Sequence, residues 1–271
     1  MRRIIALFAL LLVGGPLVSF AGELVKLNWE LGYSNTKNRA PERFVPATVP
    51  GAVQLDIALA EKYPPFNVAD NYKKFTWMED MFYTYRSSFK KPALAQGQRL
   101  FFVSKGIDYQ FEIYLNDEKL LEQEGMFTYV NIDLTDKLKE ENTLQIVVFP
   151  APKRFPAPAD RSQASNVVKP AVSYGWDWHP RLVPLGIWDD TGLEVRNNSH
   201  VTDVYVDYSL STDFKVCNIT VIAEGVNTAG KKYRWELLDA QGKQVLASEG
   251  EMNDRLTAQG IALNGPQLWW P

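Results

Sequence analysis

The densest run of chemistry-bearing side chains is Ser173-Tyr174-Gly175-Trp176-Asp177-Trp178-His179-Pro180-Arg181. Three aromatics, an acid, a histidine and an arginine crowd between Tyr174 and Arg181. An indole offers a flat apolar face, and a carboxylate beside it accepts hydrogen bonds from vicinal hydroxyls. Together they suit a pyranose, which has a C–H face and a rim of hydroxyls. Pro180 biases His179 toward extended backbone. In an extended run Trp176 and Trp178 share one side, and Asp177 with His179 the other. A purely structural reading stands beside this one: the aromatics plug the end of a sandwich and Asp177 pairs with Arg181.

Other chemistries find less support. Glu79-Asp80, Glu140-Glu141 and Asp189-Asp190 are local acid pairs, but neighbours on a strand point to opposite faces. They read as solvated surface charge. Cys217 is the lone cysteine, which excludes an internal disulfide or a cysteine zinc site; it reads as a small buried residue in a strand. His179 and His200 are far apart, so no local histidine metal motif exists, and His200 reads as a solvated loop residue. No glycine-rich phosphate loop occurs, and no cofactor or metal is expected. A net charge of −3 argues against a partner held through phosphate contacts, so no nucleic-acid partner is expected.

The elements that must position the cluster read as strands. Residues 1–21 look like a secretory signal: Arg2 and Arg3, the apolar run Ile4 to Val13, then Ser19-Phe20-Ala21. A secreted or periplasmic bacterial protein, with no membrane attachment after signal removal, is the expectation. Val53 to Lys62 reads as a short helix, and Asp133 or Thr135 as the cap of a turn. Alternating or continuous apolar runs mark strands at 83–89, 99–103, 111–115, 127–134, 143–149 and 191–195. Pro150, Pro152, Pro156, Pro158 and Pro170 interrupt this pattern, so 150–190 reads as one long excursion from the first sandwich. A second strand series runs from Val201, with a hairpin at Ala240-Gln241-Gly242-Lys243. The fold class is all-β: a sandwich over 22–200, then a second sandwich over 201–271 that lacks about two strands of the usual count. The final Leu268-Trp269-Trp270-Pro271 suggests that the sequence stops before its fold does.

Tyr174-Gly175-Trp176-Asp177-Trp178-x-Pro180-Arg181-Leu182, followed by Gly186-Ile187-Trp188, resembles the N-terminal domain of β-mannosidases in glycoside hydrolase family 2. So do Val49-Pro50-Gly51-x-Val53-x-x-Asp56, Tyr83-x-Tyr85-Arg86-x-x-Phe89, Gly106-Ile107-Asp108-Tyr109 and Ile113-Tyr114-Leu115-Asn116. Phe127, Asp133-Leu134-Thr135 and Glu141-Asn142-Thr143-Leu144 follow in the same order, and Leu268-Trp269-Trp270-Pro271 resembles a box late in the second domain. The resemblance thus spans nearly all of 24–271.

It implies a jelly-roll (galactose-binding-like) domain, then an immunoglobulin-like one, then a catalytic (β/α)₈ barrel carrying two glutamates. It also implies that Trp176 and Asp177 hold the terminal sugar of a glycoside, with Arg181 orienting Asp177, and with Trp178 and His179 beside them. No residue of this chain is expected to be catalytic. The implied partners are an oligosaccharide or glycoside and the C-terminal barrel. Three positions depart from the pattern: His179 replaces a common glycine, Gln54 a common histidine, and Tyr72 follows Asn71 where an acid is usual. The reading is the non-catalytic N-terminal part of an exo-acting β-mannosidase-like hydrolase. The alternatives are a stand-alone carbohydrate-binding protein, or part of another family 2 enzyme such as an exo-glucosaminidase.

Overall fold

A computed structural model of the chain describes residues 9, 10, 22, 24–253 and 256–268. Apart from Ala9 and Leu10, the expected signal at 1–21 lies outside the described residues, as do Trp269, Trp270 and Pro271. The architecture is all-β. The chain divides into two compact units: Leu24–Leu94 with Leu100–Glu194, and Ala95–Arg99 with the segment from Val195 onward.

In the first unit, strands β1 (Trp29–Ser34), β2 (Val45–Ala47), β3 (Phe82–Lys90), β6 (Gln110–Leu115), β7 (Glu118–Glu124) and β9 (Glu141–Val148) form one sheet. Their order is β2-β1-β3-β9-β6-β7, and the pairs are antiparallel. The two-residue alternation of a strand sends every second side chain inward. Leu31 therefore stands opposite Tyr85, Tyr85 opposite Ile146, and Ile146 opposite Ile113, all four buried. The next inward row sets Tyr83, Val148 and Phe111 side by side, also buried. Such cross-strand apolar rows are what fix register, since a one-residue slip would turn them outward. Asn116 and Asp117, both with positive φ (51° and 70°), make the two-residue turn between β6 and β7.

A second sheet comprises β4 (Gln98–Ser104), β8 (Val130–Asp133) and β11 (Thr191–Asn197), in the order β11-β4-β8. It contributes Leu100, Phe102, Val130 and Leu193 to the core. The apolar run at 99–103 is thus one-sided: Leu100 and Phe102 are buried, while Phe101 and Val103 are only half-buried. β5 (Ile107–Asp108) pairs with β10 (Gly186–Ile187). Asp133 accepts hydrogen bonds from the Thr135 amide (2.9 Å) and hydroxyl (2.6 Å), starting the turn Thr135–Lys137.

Helix α1 (Val53–Ala60) starts without a side-chain cap. Its free donors go elsewhere: the Val53 amide donates to the Leu185 carbonyl at 2.9 Å, and the Gly51 amide to Ile187 at 2.8 Å. Gln54, where a histidine is usual, donates to the Val183 carbonyl (2.8 Å) and accepts from the Leu185 amide (3.3 Å). The exit of the long 150–190 excursion is therefore bonded to the helix start.

Glu112 shows that alternation alone misplaces a residue. It lies on β6 with its side chain buried, clasped by Lys37 (2.7 Å), Lys119 (2.6 Å) and the Tyr114 hydroxyl (2.7 Å). Burial works to raise its pKa, but the two ammonium groups and the hydroxyl outweigh it and hold the carboxyl at about 2, below the usual 4.5. A depressed carboxylate stabilises the fold above its unfolded pKa and loses that contribution as pH falls through the folded value. Wild-type stability should therefore drop by up to about 3 kcal/mol between pH 4.5 and 2 from this group. Denaturant titrations of Glu112→Gln should lack that component; an unchanged acid limb would contradict the assignment.

The second unit holds β12 (His200–Leu210), β13 (Val216–Val226) and β16 (Leu256–Asn264) in the order β12-β13-β16. β14 (Lys232–Leu238) and β15 (Gln244–Glu251) form a hairpin, and Ala9 and Leu10 pair with Glu236 and Trp235. Val201, Cys217, Ile219, Val221, Tyr233, Trp235 and Met252 make its core. His200 is not a solvated loop residue: it is buried at the start of β12, with Nδ1 2.8 Å from the Asn197 carbonyl. It sits where the strand begins, which its flanking Asn-Asn-Ser did not reveal.

Candidate functional site

The site is a hairpin-like loop that opens after the turn Ala171–Tyr174. The Leu182 amide donates to the Ser173 carbonyl at 2.9 Å, and the Trp176 amide to the His179 carbonyl at 2.9 Å. Asp177 and Trp178 form its tip. Gly175 has φ +110°, a conformation that only glycine adopts without strain, so it lets the chain leave the turn. The loop is thus not a straight extended run, yet the indoles do meet on one side: Trp176 and Trp178 pack edge to face, 5.8 Å between centroids.

The base of the loop is braced by charge. Glu79, expected on the surface, is 6% exposed. It sits on the turn Thr76–Asp80, not on a strand. Arg181 Nε donates to both Glu79 oxygens (3.1 and 3.0 Å), and Nη2 to Glu79 at 2.7 Å and to Gln163 Oε1 at 2.6 Å. Its Nη1 donates to the Tyr174 carbonyl at 3.2 Å. Lys153 reaches the same Glu79 at 2.7 Å and Asp80 at 2.6 Å. Tyr174 is buried, its hydroxyl donating to the Pro152 carbonyl at 2.7 Å. The expected pairing of Arg181 with Asp177 does not occur: the guanidinium is engaged beneath the loop by a carboxylate sequence reading had left to solvent. Arg181 acts by supporting the turn that carries Asp177.

Above that base the functional groups are open to solvent. Asp177 is exposed and has no hydrogen bond or ion pair among the described residues. Trp176 is 38% and Trp178 77% exposed. The Arg161 guanidinium lies 3.3 Å from the centre of the Trp176 ring, covering one indole face. Arg161 was not singled out in the sequence; Asp160 positions it by accepting from Ser162 at the start of the turn Arg161–Ala164. His179 Nδ1 is 2.7 Å from the Pro180 carbonyl. A carbonyl only accepts, so Nδ1 carries a proton in this contact. Two open depressions flank the tip. One is lined by Arg161, Tyr174, Trp176, Asp177 and Arg181, the other by Phe66, Tyr72, Trp176, Asp177 and Trp178. The second depression, with aromatic walls and one unsatisfied carboxylate, fits a neutral polyhydroxylated ring. No cluster of three or more metal-ligating side chains occurs among the described residues.

Residues 29–189 match the family described as glycosyl hydrolase 2 galactose-binding domain-like. "Beta-mannosidase B" of Aspergillus oryzae is 26% identical over 257 residues, which is 88% of this chain and 30% of that protein. The crystal structure of the β-D-mannosidase from Dictyoglomus thermophilum aligns with a TM-score of 0.73 and 25% identity, over 97% of this chain and 32% of that one. An exo-chitosanase from Amycolatopsis orientalis shares the fold, with a TM-score of 0.60 at 14% identity. The chain thus spans about a third of the length of the relatives it matches.

Proposed function

This chain belongs to the glycosyl hydrolase 2 galactose-binding domain-like family, and from that premise we propose that it is the non-catalytic, sugar-contacting N-terminal part of an exo-acting β-mannosidase-like hydrolase. The observation that carries the reading is the free carboxylate of Asp177, at the tip of a loop that carries two packed indoles and is braced from below. A carboxylate left unpaired has its acceptors available for ligand hydroxyls. Hydrolysis itself needs two carboxyls flanking the scissile bond, about 5–5.5 Å apart in a retaining enzyme. In this reading a barrel in the longer protein supplies both, and Trp176 with Asp177 grips the terminal ring. The β-mannosidase names among the relatives support mannose as that ring.

The test compares this chain with the product of its whole reading frame, using p-nitrophenyl β-mannoside. Only the longer product should release nitrophenol. Hydrolysis by residues 22–271 alone, or a frame that encodes no barrel, would overturn the proposal.

A further inference from the structure

We infer that the depression between the 65–74 loop and the Asp177 turn holds the second ring of a β-linked glycan, the neighbour of the ring gripped by Asp177. The inference rests on the proposed sugar-binding reading and extends it to the residues that select the next sugar.

Four aromatic side chains line this depression: Phe66 and Tyr72 on one wall, Trp176 and Trp178 on the other. Asp177 adds acceptors at its rim, beside His179. The Phe66 wall is built rather than incidental. Phe66 packs edge-on against Phe75 (6.2 Å), which is itself 3% exposed and packs against Tyr63 (5.4 Å). Yet Phe66 keeps 44% of its surface open. The backbone behind it is tied in nested turns: Val68 to Pro65 (3.3 Å), Asn71 to Val68 (3.1 Å) and Lys73 to Asp70 (3.1 Å). The Asn71 side chain also donates to the Pro65 carbonyl at 2.8 Å. Rings held in place without ligand lose little freedom on binding one.

The occupant follows from chemistry and continuity. Trp176 and Asp177 line both depressions, so the two form one path across the tip of the turn. A ligand held by Asp177 at one end must pass the Phe66 and Tyr72 wall if it is longer than one ring on that side. Aromatic walls with acceptors at the rim match a second pyranose, with its C–H face and its outward hydroxyls. The residues lining this depression include no lysine or arginine, and the nearby Lys73 is paired with Asp70 at 2.7 Å. A neutral sugar fits better than an acidic one.

The test follows indole N–H resonances of the chain while methyl β-mannoside and β-1,4-mannobiose are titrated in turn. Wild type should bind the disaccharide more tightly. Phe66→Ala with Tyr72→Ala should weaken mannobiose roughly five- to tenfold and leave the monosaccharide unchanged. Asp177→Ala should weaken both sugars. A disaccharide advantage that survives the double substitution, or no advantage in wild type, overturns the second-ring assignment. Equal monosaccharide binding by wild type and Asp177→Ala instead overturns the parent reading. Unchanged amide spectra outside the two loops show that the variants are folded.

Discussion

Lys169→Ala should destabilise the first unit by about 3–5 kcal/mol, which lowers its melting temperature by roughly 10 °C. Lys169 and Asp108 form an ion pair at 2.5 Å with side chains 0% and 5% exposed. Burial pulls the ammonium pKa down and pushes the carboxyl pKa up, against their mutual attraction. Removing the lysine leaves a buried carboxylate with no counter-charge. It also strips a donor from the Pro184 carbonyl, which Lys169 reaches at 2.6 Å. That second bond gives the residue its place in the functional account. Lys169 precedes the 173–182 hairpin and Pro184 follows it, so one ammonium ties together the two ends of the loop that carries Asp177. The loss should shrink as pH falls, because a protonated Asp108 no longer carries a buried charge. Lys169→Met with Asp108→Leu should recover most of the stability. Urea unfolding of the three proteins checks this; a single variant as stable as wild type would contradict it.

Lys169 did not stand out in the sequence, and Asp108 entered only as part of the Gly106-Ile107-Asp108-Tyr109 resemblance. Alternation exposed β3, β6 and β9 because their inner rows are apolar: Tyr85, Ile113 and Ile146 sit in the two-residue period, whereas the strand of Leu31 was not read from the sequence. The short helix read over Val53 to Lys62 is found at Val53–Ala60. Alternation misjudged Glu112, since a buried acid is stable only through Lys37 and Lys119, which lie 75 and 7 residues away. Pairings of that kind leave no local pattern.

The site divides the same way. Trp176, Asp177 and Trp178 were legible because aromatics and an acid are contiguous there, and their exposure depends on a turn that Gly175 and Pro180 announce. Arg161 over Trp176, and Glu79 under Arg181, were not legible. Glu79 is 102 residues from Arg181 in the chain, and beside Asp80 it reads as ordinary surface charge. Local reading therefore paired Arg181 with the nearest acid, Asp177. The fold chose the distant one, and that choice is what leaves Asp177 free.

Asp177→Ala should reduce turnover of an aryl β-mannoside by the full-length hydrolase far more than it changes stability. A hydrogen bond to a charged group contributes about 1.5–3 kcal/mol. Asp177 has both oxygens free for vicinal hydroxyls, so its loss should lower kcat/KM by about a hundredfold or more. The side chain is exposed and unpaired in the fold, so stability should change by no more than about 0.5 kcal/mol. Asp177→Asn keeps one acceptor and should fall between the two. The decisive measurement is kcat/KM for p-nitrophenyl β-mannoside in wild type and Asp177→Ala, alongside the melting temperature of each. A large fall in kcat/KM at constant melting temperature is the result expected of a carboxylate that grips the sugar. Equal kcat/KM in the two proteins would contradict it and remove the 173–182 loop from the binding site.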